Sequence, residues 1–118
     1  MTFLDFATAT GKQRKELIAK ARKAAELMKA LSHEGRLLIL CLLAEGEKTV
    51  TEIGDIMDMP QAGVSQQLAR LRLDGLVAAR RDGRSIHYSI ASKDAEAVLR
   101  TLHGIYCGPE RPALRRKH

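Results

Sequence analysis

The 118-residue sequence predicts a mainly α domain with one small β-hairpin, on three observations. Between Thr51 and Leu73 two short apolar stripes fall at helical spacing, Ile53, Ile56 and Met57 in one and Val64, Leu68 and Leu71 in the next. Val77 to Arg81 and Ser85 to Ile90 then alternate with a period of two around Asp82-Gly83, which supplies the positive φ that a hairpin turn needs. Apolar residues make up 45% of the chain and aromatics only 3%, so the core must be built from Leu, Ile, Val and Ala, as helix-rich domains commonly are. Helix, turn, helix, hairpin is a winged helix-turn-helix.

The remaining elements frame that unit. Met1 to Gly11 lacks periodicity and is expected to be a flexible end. From Lys12, Leu17, Ala21, Ala24, Met28 and Leu31 recur at three and four residues, giving a long first helix with one apolar stripe and a basic back. Ser32 is placed to cap the second helix, with Glu34 favourable in its first turn. Leu37 to Ala44 is apolar on every side, so this helix is expected in the middle of the structure, and Cys41 within it reads as a small buried hydrophobe. Glu45-Gly46-Glu47 ends the helix, and Val50 is a strand-like link. Pro60 suits the first turn of the following recognition helix, where its missing N–H costs nothing. A last helix from about Lys93 puts Ala95, Val98, Leu99, Leu102, Ile105 and Tyr106 on one stripe and stops at Gly108-Pro109. The expected organisation is a flexible end (1–11), a single domain (12–107) and a basic tail (108–118).

Charge narrows the function. The formal net charge is +6, unevenly placed: Lys and Arg outnumber Asp and Glu by seven to two over Lys12 to Lys29, five to two over Gln61 to Ile90 and four to one over Glu110 to His118. Leu31 to Pro60 runs two to six the other way. A basic reading unit favours phosphate contact and salt-sensitive affinity. With so few aromatic rings, single-stranded or RNA targets are disfavoured, because those are bound largely by stacking. Double-stranded DNA is the expected partner. Met1 to Thr10 does not read as a signal peptide, and no apolar run approaches the ~20 residues of a membrane span, so a cytoplasmic location is expected.

The reading residues follow from what the recognition helix leaves outside: Gln61, Ala62, Ser65, Gln66 and Arg70. Gln61 and Gln66 can each make paired hydrogen bonds to an adenine edge in the major groove, Ser65 can bond a base or a phosphate, and Arg70 suits a backbone phosphate. In the wing, Arg81 and Arg84 flank the turn and can reach phosphates or the minor groove. Arg80 and His87 lie nearby without an assigned role.

Three segments carry a resemblance over roughly Ala25 to Cys107. Leu31-Ser32-His33-Glu34-Gly35-Arg36 opens the second helix, Val64-Ser65-Gln66-Gln67-Leu68 lies in the recognition helix, and Leu73-Asp74-Gly75-Leu76-Val77 leads into the wing. The chain resembles the ArsR family of bacterial winged-helix repressors. The resemblance implies a homodimer paired through the first and last helices, bound to operator DNA and with no enzymatic activity.

An input is then expected. The family's paired-cysteine metal site would fall at Thr49-Val50-Thr51, which holds no thiol. Its last-helix site of Asp and His pairs finds only Asp94 and His103. A remaining metal alternative is Cys41, His103 and Cys107, able in principle to hold Zn(II) or Cu(I). One cysteine in the second helix and one at the end of the last resembles the persulfide-responsive BigR and SqrR group. That resemblance implies Cys41 and Cys107 as sensing thiols, a persulfide as inducer, sulfide-handling genes as targets and no cofactor. Two readings from other classes stay open: a thiol oxidoreductase, which the lack of a Cys-x-x-Cys pair disfavours, and an interaction-only winged helix.

Overall fold

The structure, a computed structural model, describes residues 6–108. The first five residues of the expected flexible end and the basic tail from 109 onward lie outside the described residues. A 3-10 turn at Phe6–Thr8 precedes α1 (Gly11–Leu31), α2 (Glu34–Ala44), β1 (Lys48–Thr49), α3 (Val50–Met57), α4 (Gln61–Leu73), β2 (Val77–Asp82), β3 (Ser85–Ile90) and α5 (Lys93–Tyr106). The architecture is the winged helix-turn-helix, with one addition. The segment ahead of Val50 forms a true strand, β1, and the antiparallel sheet runs β1-β3-β2 with Lys48 opposite Tyr88 and Thr49 opposite His87.

Local chemistry fixes the helix starts. Thr10 and Gln13 form a reciprocal capping box ahead of α1, and Thr49 and Glu52 form another ahead of α3, where Thr49 Oγ1 accepts from the Glu52 N–H at 3.1 Å and Glu52 Oε1 accepts from the Thr49 N–H at 2.8 Å. These backbone and side-chain bonds hold the Glu52 carboxyl below its ordinary range. Ser32 does not cap α2. Its hydroxyl turns back to donate to the Lys29 carbonyl at the end of α1, and His33 Nδ1 accepts from the Arg36 N–H instead. Arg36 Nε donates to the Ala30 carbonyl at 2.9 Å, so one arginine in the first turn of α2 satisfies the last turn of α1. Pro60 is the residue before α4, its carbonyl accepting from Gly63 and Val64.

The core is aliphatic, drawing Leu31 from α1, Ile39, Leu40 and Leu43 from α2, Ile53 from α3, Val64, Leu68 and Leu71 from α4, and Leu99 from α5. No polar or charged residue is buried among the described residues. Two expectations are corrected. Helix α2 is not surrounded within the single chain: Leu38 is 49% exposed and Cys41 is exposed, because α1, α4, α5 and the sheet cover only the side bearing Ile39, Leu40 and Leu43. Ile56 likewise faces out, at 56% exposure, leaving Ile53 to anchor α3 with Met57 packed beside it. In α1 only Leu31 is buried, with Leu27 and Ala30 against the core, while Ile18 and Met28 stay exposed. Among the described residues no helix is long and apolar enough to cross a membrane.

The turn between α3 and α4 is tight. Asp58 takes a left-handed conformation (φ 54°), and the Met59 N–H returns to the Gly54 carbonyl at 3.0 Å. A Cβ on Gly54 would stand 3.0 Å from the Met59 carbonyl oxygen and 3.8 Å from Cγ of Gln61. Gly54→Ala is therefore expected to destabilise the chain by about 1–3 kcal/mol through overpacking, read as a lower urea midpoint, and to weaken DNA binding in the same protein.

Candidate DNA-reading surface and thiol pair

Val64, Leu68 and Leu71 are all 0% exposed, so α4 has one permitted rotation about its axis. That rotation leaves Gln61, Ala62, Ser65, Gln66 and Arg70 exposed together. Gln67 is half-buried and Arg72 exposed. Gln61 is not a loose side chain: its Nε2 donates to Thr51 Oγ1 at 3.3 Å, linking the first residue of α4 to the first turn of α3. Thr51, which the sequence did not single out, carries a hydroxyl in the first turn of α3, the kind of group that can orient an amide. Arg70 is turned toward Asp74, its Nε at 3.4 Å from Oδ2, one helical turn on. A phosphate would have to compete with that carboxylate.

The wing's register pairs Val77 with Ile90, Ala79 with Tyr88, Arg80 with His87 and Arg81 with Ile86. Asp82 belongs to β2, opposite Ser85, so the loop is Gly83-Arg84 and not Asp82-Gly83. Only Gly83 has positive φ, at 66°, as a II′ turn requires of its first central residue. Arg84 is thereby at the wing tip, and Arg81 one residue inside the strand end; both are exposed and neither has an ion pair among the described residues. Arg80 differs, because Glu47 holds it at 2.7 Å. That bond keeps the Glu47 carboxyl below its ordinary range. Glu47, read from sequence only as part of a helix end, is a residue that local patterns could not reveal.

The two thiols are free and exposed. Cys41 lies on the outward stripe of α2 between Leu38 and Glu45, three residues from one and four from the other. Cys107 follows the last residue of α5, its N–H donating to the His103 carbonyl at 2.8 Å. Partial desolvation raises the Cys41 pKa, and the nearby charges of Cys107 and Glu45 raise it further. Cys107, far along the chain from Cys41, thus acts on it electrostatically across the fold. Gly108 fixes the chain just past Cys107, since a Cβ there would stand 2.5 Å from the Gly104 carbonyl oxygen. Among the described residues no group of three or more His, Cys, Asp or Glu side chains is placed to hold a metal, so Cys41, His103 and Cys107 are not gathered as a ligand set.

Comparison with known proteins agrees with this geometry. A family model described as the bacterial regulatory protein, arsR family, matches residues 33–79. The transcriptional activator HlyU of Vibrio cholerae is 38% identical over 92 residues, 78% of this chain and 85% of the relative. The chain belongs to the ArsR family. ArsR proteins are DNA-binding transcriptional regulators, not enzymes. The crystal structure of the transcriptional repressor BigR from Xylella fastidiosa is similar at a TM-score of 0.74 and 36% identity, over 83% of this chain and 97% of that one. A homodimeric winged helix-turn-helix DNA-binding domain from Mycobacterium bovis is similar at a TM-score of 0.66 and 32% identity, over 84% and 88%.

The raised Cys41 pKa has a direction that can be checked. Alkylation of Cys41 by iodoacetamide, followed by mass spectrometry against pH, is expected to rise at higher pH than for an ordinary thiol. In Cys107→Ser the midpoint should fall, because a repelling thiolate is removed. It should stay above the ordinary value, because desolvation, the larger cause, remains.

Proposed function

We propose that this ArsR-family chain is a homodimeric repressor whose affinity for operator DNA falls when reactive sulfur links Cys41 to Cys107. The observation that carries the reading is a pair of exposed, unlinked thiols, one on α2 and one just past α5, the second acting electrostatically on the first. The exposed apolar residues Ile18 and Met28 on α1 and Ile105 and Tyr106 on α5 support pairing of two copies through these helices. The Mycobacterium bovis neighbour, described as homodimeric, lends further support. Repression follows the family resemblance and the description of the Xylella relative. Gln61, Ser65 and Gln66 would read bases while Arg70, Arg81 and Arg84 contact phosphates or the minor groove.

The chemistry balances with a persulfide donor R–S–SH. A cysteine thiolate attacks the terminal sulfur, forming Cys–S–SH and releasing RS⁻. The thiolate of the other cysteine then attacks the sulfur bound to the first, forming a disulfide and expelling HS⁻. If both cysteines carry added sulfur, the persulfide of one can attack the other. Attack on the inner sulfur gives three sulfurs and expels HS⁻, which needs no oxidant. Either product ties α2 to α5 within the chain and would alter the spacing of the two recognition helices, on which a dimer's affinity for paired half-sites depends.

A duplex selected for binding from a random pool provides the assay. Treating the reduced protein with an organic persulfide is expected to lower its affinity at least about tenfold, a shift of roughly 1.4 kcal/mol, with intact mass recording a bridge between Cys41 and Cys107. Cys41→Ser and Cys107→Ser should bind the same duplex and fail to respond. Unchanged binding with two untouched thiols would remove the sensing role. Separately, Gln61→Ala and Gln66→Ala are each expected to reduce discrimination among duplexes by about 1–3 kcal/mol, read from competition with mutated sites.

A further inference from the structure

Arg80 stands apart from the other wing arginines. Its Nη2 donates to Glu47 Oε1 at 2.7 Å and its Nε to Glu47 Oε2 at 3.0 Å, and Nη1 lies 4.0 Å from Asp82 Oδ2. The sheet register places this pair across all three strands. Arg80 on β2 is opposite His87 on β3, which is opposite Thr49 on β1, and Glu47 is two residues before Thr49. Strand alternation puts Arg80 on the side of β2 away from Val77 and Ala79, the residues turned toward the core. The positive charge of His87, when present, also acts on Glu47, as expected of a residue lying between the two partners.

An arginine on one edge strand is thus tied over the middle strand to an acid at the approach to the other edge. The edge strand β1 has only two residues, so few main-chain bonds attach it. Bidentate geometry fixes the guanidinium in orientation as well as distance. We propose that Glu47 and Arg80 are positioning residues for DNA binding, forming a strap that sets the twist of the wing against the helices and so places Arg81 and Arg84. Exposed ion pairs add little to stability, and this one acts through geometry. A guanidinium whose Nε and Nη2 already donate to a carboxylate has fewer donors free for a phosphate, and its charge is offset by the acid. Because Glu47 follows α2 after Glu45 and Gly46, the strap joins the wing to the end of the helix that bears Cys41.

The test rests on DNA binding alone and is independent of thiol chemistry, so it can fail while the sensor reading stands, and the reverse. Binding of the full chain to one fixed duplex, selected from a random pool, is measured against salt concentration for Arg80→Gln, Glu47→Gln and the exchange Arg80→Glu with Glu47→Arg. Both single variants are expected to weaken binding by about three- to tenfold, a loss of preorganisation, without changing the salt slope. Glu47→Gln should weaken binding even though it makes the protein more positive, and the exchange should recover most of the loss. If Arg80 instead contacts a phosphate, Arg80→Gln lowers the slope by about 0.9, Glu47→Gln tightens binding and the exchange recovers nothing. That pattern, or unchanged binding in both single variants, overturns the proposal.

Discussion

The rotation of α4 about its own axis is the constraint on which the rest depends. Val64, Leu68 and Leu71 have no exposure, and turning the helix would bring these branched side chains into water, each at about 1.5–3 kcal/mol. Its height is set as firmly, because the turn before it closes on Gly54, where main chain meets main chain without an intervening side chain. The polar face of α4 is therefore presented by the packing of its apolar face. Thr51 adds a local refinement, holding the Gln61 amide by a hydrogen bond. A side chain already held near a useful rotamer loses less freedom on binding.

The wing is attached differently. Val77 is buried and Ala79 half-buried at the base of β2, while from Arg80 onward the strand is exposed on both sides. Burial thus anchors the root of the hairpin and leaves its tip to the sheet's own hydrogen bonds and to side-chain contacts. The thiol pair is also at a boundary of the packed region. Cys41 is on the one side of α2 that the chain does not cover, and Cys107 is where α5 stops. Both are accessible because they lie outside the aliphatic core.

Much of this was legible in the sequence because it rests on local repetition. The inward face of α4, the two wing strands and the stop after Tyr106 all follow from residues close together in the chain, whereas the α5 stripe is inward at Ala95 and Leu99 but exposed at Ile105 and Tyr106. What was not legible depends on choice or distance. Ser32 and His33 are both able to cap α2, and the structure uses histidine because the serine hydroxyl is drawn to the end of α1. An all-apolar run such as Leu37 to Ala44 says that no side prefers water, but not whether the same chain supplies every neighbour. Asp82-Gly83 and Gly83-Arg84 differ by one residue of register, which only cross-strand pairing decides. Glu47 and Arg80 are 33 residues apart, and nothing in either neighbourhood points to the other.

Position 108 shows how a residue without a side chain can govern a neighbour that has one. Any Cβ there would press into the Gly104 carbonyl, so the main chain beside Cys107 would have to shift. In a population of random missense mutants, whatever phenotype displacement of Cys107 produces would then be shared by changes at this glycine. A genetic map would mark the glycine, while the side chain displaced sits one residue away.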